Sequence, residues 1–284
     1  MTAIVLAALS AFLFGAMTVL VRIALAGRVS PEAGTVYTIL PAFSITALVA
    51  FVQGDVVDVA DAWPFVFAGV LAPGIAQILF TFAVRDAGAS RTSVTVGTAP
   101  LFAVAAALLL LDEPLVAGLV VGASLIVTGG ILLASDRARP EHFKRIGLVY
   151  ALLCTVSFAL RDPLVRWLGT EATEVAPLLA AAVTMLTGAA VALGFALLRR
   201  VPLEWATARA FVPAGVCYGL SYVFLFEAFY RGRVSVVSPI VATESLWGVV
   251  LSWLLLRKSE LVGPRLVLGA VLVVAGGVLI GIYR

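Results

Sequence analysis

Ten apolar runs, each close to 20 residues long, follow one another along the 284-residue chain with only short links between them. Wound as an α-helix, a run of that length spans the hydrocarbon core of a bilayer. The runs fall at 3–25, 33–52, 64–84, 92–111, 116–134, 147–168, 175–198, 210–230, 234–256 and 264–283. Composition leaves no alternative use for them. Hydrophobic residues make up 62% of the chain and charged residues 12%, about half the usual soluble share. Polar groups this sparse cannot cover a globular surface. The chain reads as an all-α membrane protein.

Pro41, Pro73, Pro100, Pro163, Pro213 and Pro239 fall inside these runs. In a membrane protein neighbouring helices or cavity water can satisfy the backbone groups a proline frees, so none argues against a helix. The first run is expected to stay in the mature protein, because it lacks a basic leader and is too long for a signal core. The longest polar stretch is SDRARPEHFKR at 135–145, and no soluble domain fits anywhere. The formal charge of +3 is loop charge that orients helices; no basic cluster interleaved with aromatics points to nucleic acid. Cys154 and Cys217 both lie in apolar sequence and read as small core residues. The sole histidine, His142, has no metal-ligand companions, and no hydrolase or phosphate-loop motif is present. No enzyme activity and no cofactor are expected.

The two halves of the chain resemble each other. FLFGAMTVLVR (12–22) aligns with VSFALRDPLVR (156–166), SRTSVTVGTAPLF (90–102) with SVVSPIVATESLW (235–247), and EPLVAGLVVGASLIVTGG (113–130) with ELVGPRLVLGAVLVVAGG (260–277). The offset grows slowly along the chain, as small loop insertions on a common repeat would make it. This divides the chain into repeats at 1–134 and 147–284 with a connecting loop at 135–146. Five spans per repeat is an odd number, so the second copy inserts upside down, the inverted pattern of secondary transporters.

Ten spans in two repeats, each ending in a Glu-led, Gly-rich helix (Glu113 to Gly130, Glu260 to Gly277), resemble the drug/metabolite transporter superfamily in its EamA-type branch. The resemblance covers essentially the whole chain and lies in architecture rather than in a tight signature. It implies export of a small metabolite or drug through a central cavity lined mainly by helices 1, 3, 4, 6, 8 and 9, with helices 5 and 10 peripheral. It names no substrate, since relatives carry amino acids, purines, sugar phosphates and cations.

Fourteen of the 19 basic residues fall in the odd-numbered links and four in the even-numbered links and C-terminus, with Arg161 inside a span. The positive-inside rule then puts the odd links in the cytoplasm and both termini outside. The expected setting is the plasma or inner membrane, multi-pass. Gly118-xxx-Gly122 and Gly277-xxx-Gly281 are close-packing patterns that could join helices 5 and 10 or a second subunit. The first reading is preferred, making a monomer the expected form and a homodimer the alternative.

Charges inside spans mark the candidate site. Each costs about 2.5–3.5 kcal/mol near a helix centre on insertion scales, so it needs a partner, cavity water or a ligand. Arg161 and Asp162 align with Met17 and Thr18 of the first repeat, and Glu227 with Phe82. The ionisable member of each pair lies in the outer half, which suggests a polar outer gate in which Arg161 pairs with Glu227 or Glu244. Pro163 frees the carbonyl of Ala159 toward the same region. A buried pair that merely fixes helix register would read the same way. Glu244 falls ten residues into its span, near the midplane. A carboxyl there is costly to ionise without a cation beside it, so a proton and a cationic solute can compete for it. Trp247, three residues on, is expected to share its face. Gln77, its repeat mate Tyr222, and Tyr218 are further candidates for substrate contact, though such residues also serve as interhelical glue.

Arg161 against Asp162, Glu227 and Glu244 makes a net-acidic interior, which disfavours phosphates and favours neutral, zwitterionic or amine-bearing solutes. The expected function is secondary active export of a small organic solute by alternating access, with proton exchange. The alternative, an uncoupled channel or facilitator, would want polar residues repeated along several helices, and the interior is too apolar for that.

Overall fold

The computed structural model describes residues 2–27, 29–57, 59–99, 101–102, 117–134, 143–256 and 263–283. Glu113, Glu260, His142, Pro100, the segment 135–142 and the fourth run beyond residue 102 lie outside the described residues. The described elements are helical. They are α1 (Thr2–Leu25), α2 (Pro31–Gln53), α3 (Phe65–Ala87), α4 (Ala89–Val96), α5 (Ala117–Ala134), α6 (Ile146–Trp167), α7 (Pro177–Leu198), α8 (Val212–Arg231), α9 (Val234–Val241), α10 (Glu244–Leu255) and α11 (Pro264–Tyr283). Among the described residues eight helical segments are long and apolar enough to cross a membrane, counting α9 and α10 as parts of one. Val120–Leu132, in α5, forms a shorter apolar stretch.

Local chemistry sets the helix ends. Ser30 accepts a hydrogen bond from the Ala33 amide at 3.2 Å and Pro31 opens the first turn of α2, the residue types that helix N-termini favour. Gly54 ends α2 in the left-handed region at φ 78°, where a Cβ would be penalised. The prolines behave unequally. Pro41 and Pro163 sit inside continuous helices, Pro213 occupies the first turn of α8, and Pro73 coincides with a π-helical turn at Val70–Ile75 where Ala72 leaves helical geometry.

Large apolar side chains face outward over most of the surface; Phe51 is 73% and Leu198 85% exposed. In water such a surface would aggregate, whereas lipid tails accept it. Inside, helix pairing follows the repeat. The α1–α8 contact has its counterpart in α3–α6, and α2–α8 in the packing of α7 on α3. The pairs α2–α7, α4–α10 and α5–α11 each join a span to its own repeat mate. Exchanging the two repeats therefore returns these same pairings.

α5 and α11 meet backbone to backbone. A Cβ on Gly122 would lie 2.8 Å from the Gly276 carbonyl oxygen, and one on Gly129 2.6 Å from that of Gly269. The close-packing pattern on α5 joins these two helices; on α11 its contacts fall at Gly269 and Gly276 rather than at the Gly277–Gly281 pair.

The runs at 92–111 and 234–256 are not uninterrupted helices in their described parts. Each tightens into a 3₁₀ turn near its middle. Thr98 N bonds Thr95 O at 3.1 Å and Thr243 N bonds Ile240 O at 3.0 Å. The hydroxyls of the same threonines donate to the same carbonyls, both at 2.6 Å. A side-chain hydroxyl competing for the i−3 carbonyl draws the backbone out of i−4 pairing. Thr98 and Thr243 are repeat mates, so the chain makes this interruption twice.

Ionic side chains collect at the ends. Asp86 pairs with Arg85 at 2.6 Å and Lys144 at 3.6 Å, and Glu32 lies 4.0 Å from Arg199. These residues come from the links assigned to the cytoplasm. With Cys154 and Cys217 replaced, a cysteine at Lys144 should resist a membrane-impermeant thiol reagent in intact cells, while one at Glu171 should react. The reverse labelling pattern would invert the orientation.

Candidate functional site

The two interruptions meet at a cavity of about 60 Å³. α1 contributes Ser10 and Phe14, and the fourth span contributes Val96 and Ala99. Phe158, Ala159, Arg161 and Asp162 come from α6, and Ser221, Tyr222 and Leu225 from α8. Ser238, Val241, Ala242 and Glu244 complete the wall from α9 and the head of α10. α3 does not line it, unlike the expectation drawn from the resemblance. The space holds a few waters and no metabolite-sized solute.

Among the described residues Arg161 is the one cation lining the cavity, and it is 2% exposed. Its Nε lies 2.9 Å from Asp162 Oδ1. Its guanidinium carbon sits 5.0 Å from the Tyr222 ring centre and 5.4 Å from that of Phe158. Aromatic faces attract a guanidinium electrostatically, more strongly where water is excluded. Nη1 is buried without a hydrogen-bond acceptor among the described residues. Glu244, 6% exposed, lines the same space but makes no ion pair with Arg161 within 4.0 Å. Ala159, whose carbonyl Pro163 crowds, is also on the wall.

The other expected residues are placed differently. Glu227 does not line the cavity; it pairs with Arg231 at 2.5 Å, one helical turn along. The expected Arg161–Glu227 pair is therefore absent from this conformation, and Asp162 and the two rings hold the guanidinium instead. With Glu227 off the wall, the described cavity lining sets one cation, Arg161, against two carboxyls, Asp162 and Glu244. Trp247 does not share the cavity face with Glu244. Three residues on a helix turn the side chain about 60° short of a full circle, and its ring is 40% exposed, edge-on to Phe12 at 5.1 Å. Tyr218 lies behind Tyr222, with its hydroxyl 3.5 Å away. Gln77 is fully buried in α3, its amide oxygen and nitrogen both without hydrogen-bond partners among the described residues, and it is not on the cavity wall.

Three features went unread in the sequence. Ser10 and Ser221 join α1 to α8, with Oγ atoms 3.0 Å apart and Ser221 Oγ donating to Ser10 O at 3.0 Å. Thr155 of α6 donates to Thr95 O at 3.3 Å, the carbonyl disturbed by the first interruption. Phe14 and Phe158, ring centres 5.7 Å apart, face each other from α1 and α6. They occupy the same column of the FLFGAMTVLVR and VSFALRDPLVR alignment. That identity was the available signal.

These features define a multi-pass helical membrane protein whose two inverted repeats surround a small central cavity. A family model for the EamA-like transporter family matches residues 1–135 and again 145–282. The chain belongs to that family and is a membrane transporter. A crystal structure described only as that of a protein shares the fold: it is 21% identical, covers 95% of this chain and 96% of its own, and superposes with a TM-score of 0.65. Comparison with curated proteins gave no match.

Arg161→Ala should be strongly destabilising. Removing one partner of a buried pair costs about 3–5 kcal/mol, because the other charge is left uncompensated. Melting in detergent should fall by several degrees, and Arg161→Ala with Asp162→Asn should recover part of the loss. A single variant that melts like the wild type would show that Arg161 carries no structural load.

Proposed function

We propose that this transporter is a secondary active carrier that exports a small neutral, zwitterionic or amine-bearing solute by alternating access, in exchange for protons. Its setting is the plasma or inner membrane and its working form a monomer. The observation that carries this reading is the placement of Glu244, Asp162 and Arg161 on one wall-to-wall cavity where interrupted helices from both repeats meet. Interrupted helices at the midplane are where secondary transporters build substrate and ion sites. A carboxyl held there is costly to ionise unprotected, so a proton can leave it when a cationic or polar group takes its place. A cavity of only about 60 Å³ fits a carrier better than a continuous pore.

Glu244 is the exchange residue in this reading. Asp162 stays paired to Arg161, and Tyr222 fixes the guanidinium that faces the solute. Gln77 and Tyr218 act through packing behind the wall, and Trp247 and Glu227 stand outside the exchange.

The test uses proteoliposomes loaded with a pH-sensitive dye and challenged with a panel of amino acids and amines. The wild type should move protons in response to at least one solute, and that solute should accumulate against its gradient when a pH gradient is imposed. Glu244→Gln keeps size and hydrogen bonding but cannot ionise. It should still equilibrate the solute and lose its response to the gradient. A mutant that follows the gradient as the wild type does would remove Glu244 from the coupling step.

A further inference from the structure

The transmembrane core divides into two walls. α1 packs extensively on α8, and α3 on α6, whereas α1 touches α3 and α6 touches α8 only sparsely. Ties within each wall are made by Ser10–Ser221 in one and by Lys144–Asp86 in the other. The contacts that cross from wall to wall therefore decide which side can open.

One such contact occurs at each end, and the two are equivalent under the repeat. Arg22, in the last turn of α1, donates from Nη1 to the Arg85 carbonyl near the end of α3 at 3.5 Å. Arg166, in the last turn of α6, donates from Nη1 to the Tyr230 carbonyl near the end of α8 at 3.2 Å, and also to the Phe229 carbonyl. Arg22 and Arg166 close the aligned stretches FLFGAMTVLVR and VSFALRDPLVR. Arg85 and Tyr230 are mates at the offset that relates Gln77 to Tyr222. All three acceptors lie in the last turn of their helices, where carbonyls have no partner further along and the helix dipole is negative. A cationic donor there satisfies both the hydrogen bond and the field.

We infer that Arg22 and Arg166 are paired gate latches, Arg22 holding α1 to α3 at the end that carries the odd-numbered links and Arg166 holding α6 to α8 at the opposite end. Opening either side separates the two walls there and breaks that latch while the other stays made. With both made, the small cavity around Arg161 and Glu244 lies between the two held ends. The inference rests on the alternating-access reading but not on any particular solute or on proton coupling. It also replaces the expected Arg161–Glu227 gate with a backbone-directed bond that each repeat supplies once.

Thiol accessibility tests it without a substrate. Ser93 and Ser238 are repeat mates at offset 145; Ser93 is 2% exposed and Ser238 lines the cavity. Each is made cysteine in a background lacking Cys154 and Cys217, and labelling by an impermeant reagent is timed in right-side-out and inside-out vesicles. Losing the Arg166 contacts should shift the balance of open states about tenfold, and losing the longer Arg22 contact should shift it less. Arg22→Ala should speed labelling of S93C from the side bearing the odd-numbered links and slow that of S238C from the other side; Arg166→Ala should do the reverse. Arg→Lys at either position keeps a cationic donor and should fall between wild type and Ala. It also serves where an alanine variant fails to fold, with the same sign expected. Equal labelling in all variants, or both variants favouring one side, would overturn the assignment. A protein that passes here yet ignores a pH gradient would instead refute only the coupling by Glu244.

Discussion

Almost no water reaches the middle of a bilayer, so each backbone carbonyl there has to find its donor within the protein. An unbroken helix solves this by itself, but an unbroken helix cannot bend around a solute. At the two places where the backbone tightens, Thr98 and Thr243 bring their own hydroxyls to the disturbed carbonyls, and Thr155 reaches across from α6 to one of them. At the helix ends Arg22 and Arg166 do the same for terminal carbonyls. Interruption and closure are thus two uses of one rule: a carbonyl released from its helix becomes an attachment point for another.

The spans were legible because bilayer thickness imposes a length on apolar sequence, and the repeat because its two copies keep the same columns. What escaped was whatever depends on rotation about a helix axis. Spacing alone puts Trp247 near the face of Glu244, yet an offset of three leaves it partly exposed and turned toward Phe12. Arg231 falls just beyond the apolar run 210–230, so the run boundary hides its position one turn from Glu227. Ser10 and Ser221 stand far apart in the chain, and no local pattern announces a contact between two isolated serines. Arg22 and Arg166, by contrast, were aligned in plain view, and only their acceptors, being backbone, were invisible in the sequence.

The two repeats agree in their mechanics and differ in their chemistry. Packing partners, threonine turns and terminal arginines recur in both copies. The cavity's charges do not: Arg161, Asp162 and Glu244 have Met17, Thr18 and Ala99 as mates. Duplicated parts suit a machine that must open in two directions, because each opening can reuse the same joint. Unmatched charges suit a site that must treat its two sides differently, because a fully symmetric cavity would hold its solute equally well from either face.

The glycine contact between α5 and α11 sets a limit on how such a machine can move. Bare backbone meets bare backbone at Gly122–Gly276 and Gly129–Gly269. Sliding one helix along the other by a residue would drive side chains into the space those glycines leave. This pair joins equivalent spans of the two repeats and packs on the rest of the protein more thinly than on itself. The pair is a keel in that sense: a motion that opens the cavity has to leave those glycines facing each other.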